Sequence, residues 1–202
     1  MPVIDLAKSE PRRRKPDSLE RIKRAARKLF VERGYDATRP QDIAREAGLG
    51  HGTFYLHYPD KRACFLAFVE DARAELDAHV RANRAQGGSL EQVIASTLNA
   101  IYDYSDSHPG VLNAAMTDES VIDAEGVQAT PLLTRWGQEW AEMVRQAAAD
   151  GRACNSYDAE IVGQAIVGAL HQTGREASRA ARCRDALVDN LTRFLVRALK
   201  PD

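Results

Sequence analysis

Apolar positions recur at intervals of three and four along most of the chain, and alternating β-branched runs are absent. That period predicts amphipathic helices packed on a common core, an all-α fold of about nine helices. The first spans about residues 18–33, with Leu19, Ile22, Ala26, Leu29 and Phe30 on one stripe. Asp17 and Glu20 have capping-box spacing ahead of it, and Gly34 stands where a left-handed C-cap belongs. The second, about 40–47, opens on Pro40 and carries Asp42 near its positive end. The third covers roughly 51–58 and stops at Pro59. The fourth runs from about 60 to 84 with Phe65, Phe68, Val69 and Leu76 inward.

Gln86-Gly87-Gly88-Ser89 breaks the pattern. A helix over 89–106 follows, burying Leu90, Val93, Ile94, Leu98 and Ile101. After His108-Pro109-Gly110 come a short helix at 111–117 and a weakly patterned stretch at 118–130. Residues 131–150 form a helix bearing Leu132, Leu133, Trp136, Trp140, Met143 and Val144. The last two helices cover about 157–179 and 184–199. No segment repeats at a fixed period. Residues 1–16 carry Arg12-Arg13-Arg14-Lys15, end at Pro16, and read as a flexible basic arm. Such an arm is either merely solvated or tracks phosphates and enters a minor groove.

Charge divides the chain. Up to Arg62 there are fifteen basic and nine acidic residues; beyond it there are thirteen and twenty. A basic first third joined to an acidic remainder points to a polyanion partner for the first part alone. This gives three regions: the arm at 1–16, a basic helical head at 17–62 suited to a polyanion, and an acidic helical remainder at 63–202. No apolar run reaches the roughly 18–20 residues of a membrane span, and no apolar stretch follows the N-terminal cations as in a signal peptide, so a cytoplasmic location is expected.

Motifs for catalysis are lacking. The histidines at 51, 57, 79, 108 and 171 form no His-Glu-x-x-His and no metal-spaced cluster, and no Gly-x-Ser-x-Gly or phosphate-binding glycine loop occurs. No enzyme, cofactor or metal is expected. Cys64, Cys154 and Cys183 are far apart and read as small buried apolar residues, with a redox- or ligand-reactive thiol as the alternative.

The second and third helices are short and joined by Gly48-Leu49-Gly50. That is the layout of a helix-turn-helix, whose second helix enters the major groove. The run from Ala25 to Tyr35, AARKLFVERGY, resembles the tetracycline-repressor (TetR) family of bacterial regulators. So does the run from Asp42 to Lys61, DIAREAGLGHGTFYLHYPDK. The resemblance covers about residues 18–68; beyond it only the length and helical pattern are similar. It implies a recognition helix in which Gly52 and Thr53 approach base edges, the glycine by its small size and the threonine through a hydroxyl and a methyl. His51 lies where the family varies and is the candidate for sequence preference. Tyr55 and His57 resemble phosphate-contacting positions. Lys61, at the start of the fourth helix, offers a phosphate a cation beside free helix amides, and Thr38 and Arg39, at the start of the second, are candidates to meet a phosphate there. Phe54, Leu56 and Tyr58 hold the helix to its domain, with Tyr58 also in reach of the backbone. Singly, each of these residues also reads as packed or solvated. Two positions depart from the family: Gly50 replaces a hydroxyl N-cap, and Arg39 replaces a small hydroxyl residue.

Two helices suit dimerisation, as the resemblance implies. Leu187, Leu191, Phe194 and Leu195 form a stripe too wide for one core. Ile161, Ala165, Ile166 and Ala169 combine apolar area with small residues that admit a second helix; intramolecular packing is the alternative. The resemblance also implies a ligand pocket among the central helices, where Tyr102, Tyr104, Met116, Trp136, Trp140, Met143 and His171 are the notable side chains, with ordinary core as the alternative for each. The expected protein is a homodimeric, ligand-responsive regulator. It would be a repressor released from a palindromic double-stranded operator by a small, largely apolar molecule. Two other readings stay open: a regulator controlled by a protein partner or by no effector, and a small-molecule binding protein with non-specific DNA affinity.

Overall fold

A computed structural model of the protein describes residues 15–85, 87–123 and 130–201. The arm expected at 1–16 therefore lies outside the described residues except for its last two. Those residues hold ten helices: α1 (Lys15–Arg33), α2 (Pro40–Glu46), α3 (His51–Tyr55), α4 (Lys61–Asn83), α5 (Leu90–Ser107), α6 (Val111–Ala115), α7 (Asp118–Asp123), α8 (Leu132–Ala149), α9 (Ala159–Arg179) and α10 (Arg184–Ala198). The chain divides into two compact units, Met1–Phe65 and Leu66–Asp202. No described helix is long and apolar enough to cross a membrane.

The all-helical reading holds, with local differences. α1 already includes Lys15 and Pro16, so Asp17 lies in its first turn rather than ahead of it. Pro16 fits there because the first amides of a helix have no partner to lose. Asp118–Asp123 is helical where the sequence shows only a weak pattern. Its first residue explains the stretch: the buried Asp118 carboxylate accepts the backbone N–H of Leu132 at 2.8 Å, capping the start of α8 from fourteen residues back. At α5 a cap that sequence reasoning did not single out is present, with Ser89 and Gln92 forming a reciprocal capping box.

The first unit packs Ile22, Leu29, Phe30, Ile43, Phe54 and Phe65 with almost no exposure. Phe30 meets Phe65 edge-on at 5.0 Å, and Tyr35 meets Phe65 at 4.9 Å. In the second unit α8 and α9 lie against each other. A Cβ at Gly163 would strike the Gly137 carbonyl and the Ala141 amide, so this contact needs a glycine. α5 packs on α10, and Ile94, Leu98, Trp140, Ile166, Leu191 and Leu195 belong to one core. A smaller core joins Leu76, Tyr104 and Leu112.

Candidate nucleic-acid interface and a cavity in the second unit

α2 and α3 are joined by a turn whose geometry rests on Gly48. Its φ of +64° lies in the left-handed region that a Cβ penalises. A Cβ there would stand 2.8 Å from a guanidinium nitrogen of Arg21. Arg21, reaching from α1, donates hydrogen bonds to the carbonyls of Ala47 and Gly48. It thereby satisfies acceptors that the end of α2 leaves open. Lys28 of α1 pairs with Glu46 of α2 at 2.6 Å. Sequence reasoning missed Arg21, because nothing in its own neighbourhood marks it as a cap for a turn some twenty-six residues on.

α3 is anchored by one side chain, Phe54, which is fully buried. Around it His51, Gly52 and Tyr55 are exposed and Thr53 is half-buried. The His51 and Tyr55 rings meet edge-on at 5.3 Å. One short helix thus presents an imidazole, a bare backbone, a hydroxyl and a phenol together. Those groups can donate to and accept from base edges and phosphates. Gly50 caps the helix in extended conformation without a side-chain bond, and Arg39 does the same for α2 with its side chain exposed.

His57 and Tyr58 are half-buried. Ser18 Oγ and His57 Nε2 share a hydrogen bond of 2.8 Å, which fixes the ring against α1. Lys61 donates to the Tyr35 carbonyl at 3.0 Å, and its ammonium stands 3.9 Å above the Tyr35 ring. An ammonium has three protons, so Lys61 keeps donors for an anion while its position is set from below.

Two expectations for this unit fail. Thr38 is 0% exposed, and its hydroxyl donates to the Gly34 carbonyl at 2.7 Å and also lies 3.3 Å from that of Leu29. It closes the connection between α1 and α2 and has no side-chain atom to offer a phosphate. Leu56, expected to anchor the recognition helix, is 75% exposed.

The second unit contains a cavity of about 1000 Å³, at the upper end of the usual range for small-molecule sites. Tyr102, Met116, Trp136, Trp140, Met143 and His171 line it, as do Leu98, Ile101, Leu133 and Leu170. Tyr104 does not line it: the ring is buried in the smaller core, its hydroxyl donates to Glu75 at 2.8 Å, and His108 stacks on it at 4.2 Å. Burial pushes the Tyr102 phenol above its ordinary pKa, against the lowering effect of Thr173, and burial lowers that of His171, with Arg175 adding to the effect. Trp136 Nε1 is buried without a hydrogen-bond partner. Among the described residues no three His, Cys, Asp or Glu side chains converge as a metal site would need.

The residues expected to pair two subunits divide sharply. Ile166, Leu191 and Leu195 are core residues within the subunit, and Leu187 is half-buried and lines the cavity. Ile161 is 71% exposed and Phe194 is 60% exposed; Ala165 is exposed and Ala169 half-buried. Gly168 has open space where a Cβ would sit. Cys183 is exposed, against expectation, while Cys64 and Cys154 are buried.

Residues 22–68 match the family described as bacterial regulatory proteins, tetR family. Two curated relatives come from Bacillus subtilis (strain 168), both uncharacterized HTH-type transcriptional regulators. YuxN is 25% identical over 51% of this chain and 35% of its own length; YerO is 43% identical over 25% of this chain and 18% of its own. The chain thus spans about a third or less of these two relatives. The solved structure of the fatty acid degradation regulator FadR from Bacillus halodurans has a TM-score of 0.70 at 18% identity. That likeness covers 93% of this chain and 97% of that one, and it concerns the fold. In its helix-turn-helix head, residues 22–68, the chain is thus similar to the tetR family of bacterial regulatory proteins, and over the rest of its length it shares the fold of the solved structure.

Proposed function

We propose that the chain is a homodimeric transcriptional regulator, a repressor that leaves a palindromic operator when a small, largely apolar molecule occupies the second unit. The observation that carries the DNA reading is α3. Its single buried anchor, Phe54, and the turn capped by Arg21 hold His51, Gly52, Thr53 and Tyr55 in one exposed group. In this reading His51 and Thr53 meet base edges, and Gly52 lets the backbone come close. Tyr55, His57, Tyr58, Lys61 and Arg39 contact phosphates and set the register.

The cavity supports an effector rather than control by a protein partner, for which a filled interior would speak. α4 is the element that serves both roles, since Lys61 at its start belongs to the head while Arg73, Asp77 and Val80 further along line the cavity. An effector acts by binding one of two conformations more tightly, worth typically about 1–3 kcal/mol. Ile161, Ala165 and Phe194 supply an apolar face on α9 and α10 for a second copy, and two copies double the base contacts. Footprinting of the gene's own upstream region tests the whole reading. A protected palindrome is the expected result, and uniform binding to any duplex would refute it.

A further inference from the structure

The cavity carries more than apolar surface. Seven arginines and four carboxylates line it. The carboxylates are spoken for. Asp77 and Glu139 lie 2.9 and 3.4 Å from Arg73. Asp106 lies 3.1 Å from Arg184, and Glu142 lies 2.9 Å from Arg145. Of the remaining arginines, Arg81 acts electrostatically on Asp77 and Glu139, and Arg152 pairs with Asp150 at 2.6 Å. Arg84, Arg175 and Arg182 have no carboxylate within ion-pair distance among the described residues. Arg84 follows α4, Arg175 lies on α9 and Arg182 lies in the turn before α10. They are half-buried to exposed, so they stay hydrated and charged without an internal partner. Deeper lining comes from Leu98, Trp140, Val167 and the partly buried Trp136, whose indole N–H has no partner.

We infer that the effector is an organic anion: an apolar body that fills the space around Trp136 and Trp140, with a carboxylate, sulfonate or phosphate group met by Arg84, Arg175 and Arg182. This rests on the reading of the cavity as the effector site and names the chemical class that site prefers. A neutral apolar molecule gains only the burial of its body. An anion of the same shape gains, besides, charge-assisted hydrogen bonds to guanidinium groups that no internal carboxylate has neutralised. A cation is disfavoured by the same excess.

The chain's only two tryptophans both line the cavity, so energy transfer from them reports its occupancy. The test titrates the intact protein with 8-anilinonaphthalene-1-sulfonate and with its neutral counterpart N-phenyl-1-naphthylamine, which lacks only the sulfonate. The inference predicts saturable transfer from both, with the sulfonate bound about tenfold tighter or more. In the variant combining R84Q, R175Q and R182Q that preference falls to about threefold or less, while the neutral probe binds as before. Equal binding of the two probes to the wild-type protein would overturn the anion preference and leave an apolar effector standing. A preference kept in the triple variant would overturn the assignment to these arginines. Saturable binding of neither probe would overturn the effector site itself.

Discussion

Ser18 Oγ of α1 and His57 Nε2, just beyond α3, lie 2.8 Å apart and join the first helix of the head to the end of its recognition segment. The bond holds one imidazole nitrogen inward, which leaves the other for a phosphate. Ser18→Ala is therefore expected to weaken binding to every duplex by a similar factor, about 0.5–1.5 kcal/mol. Fluorescence anisotropy on operator and scrambled duplexes measures it. Unchanged affinity on both would show that the bond positions nothing at the interface.

Gly34 and Gly48 both adopt left-handed conformations, with φ of +77° and +64°, yet only Gly48 is crowded. Gly34→Ala should cost about 1–2 kcal/mol for the backbone conformation alone. Gly48→Ala should cost more, because the new methyl displaces Arg21 from the carbonyls of Ala47 and Gly48. Thermal unfolding of the two variants ranks them, and an equal or larger loss at Gly34 would contradict the capping role of Arg21.

The helices of the head were legible in the sequence because their caps and stripes are local: Gly34, Pro40, Gly48 and Pro59 punctuate them, and Phe54 falls on the buried side. Thr38 and Leu56 were misread for a shared reason. Residue type alone suggests a phosphate-seeking hydroxyl and a core leucine. Burial and exposure are settled instead by the carbonyls of Leu29 and Gly34 and by the end of α3 at Tyr55. In the second unit the resemblance pointed to the residues that line the cavity, with ordinary core as the alternative, and Tyr104 is the exception that Glu75 and His108 draw elsewhere. The unpaired arginines had no local signal, since whether a guanidinium has a carboxylate neighbour is a matter of tertiary contact.

Burial raises the Cys64 thiol from its ordinary 9.0 to about 12. A folded-state pKa raised in this way favours the native protein below the unfolded value and costs stability as pH climbs from about 9 towards 12. Denaturant unfolding should show that decline, and Cys64→Ala should lessen it. In the native protein near neutral pH, a thiol reagent should label the exposed Cys183 quickly and spare Cys64 and Cys154. Rapid labelling of all three would contradict this burial.

Ile161 and Phe194 are large and exposed, whereas Leu195, one residue on from Phe194, is 3% exposed. Ile161→Glu and Phe194→Glu are expected to yield folded monomers by light scattering with little change in helicity. Leu195→Ala should cost about 2–5 kcal/mol by leaving a hole in the core. A dimer that survives both glutamate substitutions would remove this face from the interface.

The most direct measurement is selection of bound duplexes from a random-sequence pool by the wild-type protein, repeated with His51→Ala and Lys61→Ala. The account predicts that the wild-type protein enriches one palindromic sequence. His51→Ala should enrich an altered one, and Lys61→Ala should enrich the original with uniformly weaker affinity and a salt slope smaller by about 1. A wild-type protein that binds duplexes but enriches none would contradict the account at its centre.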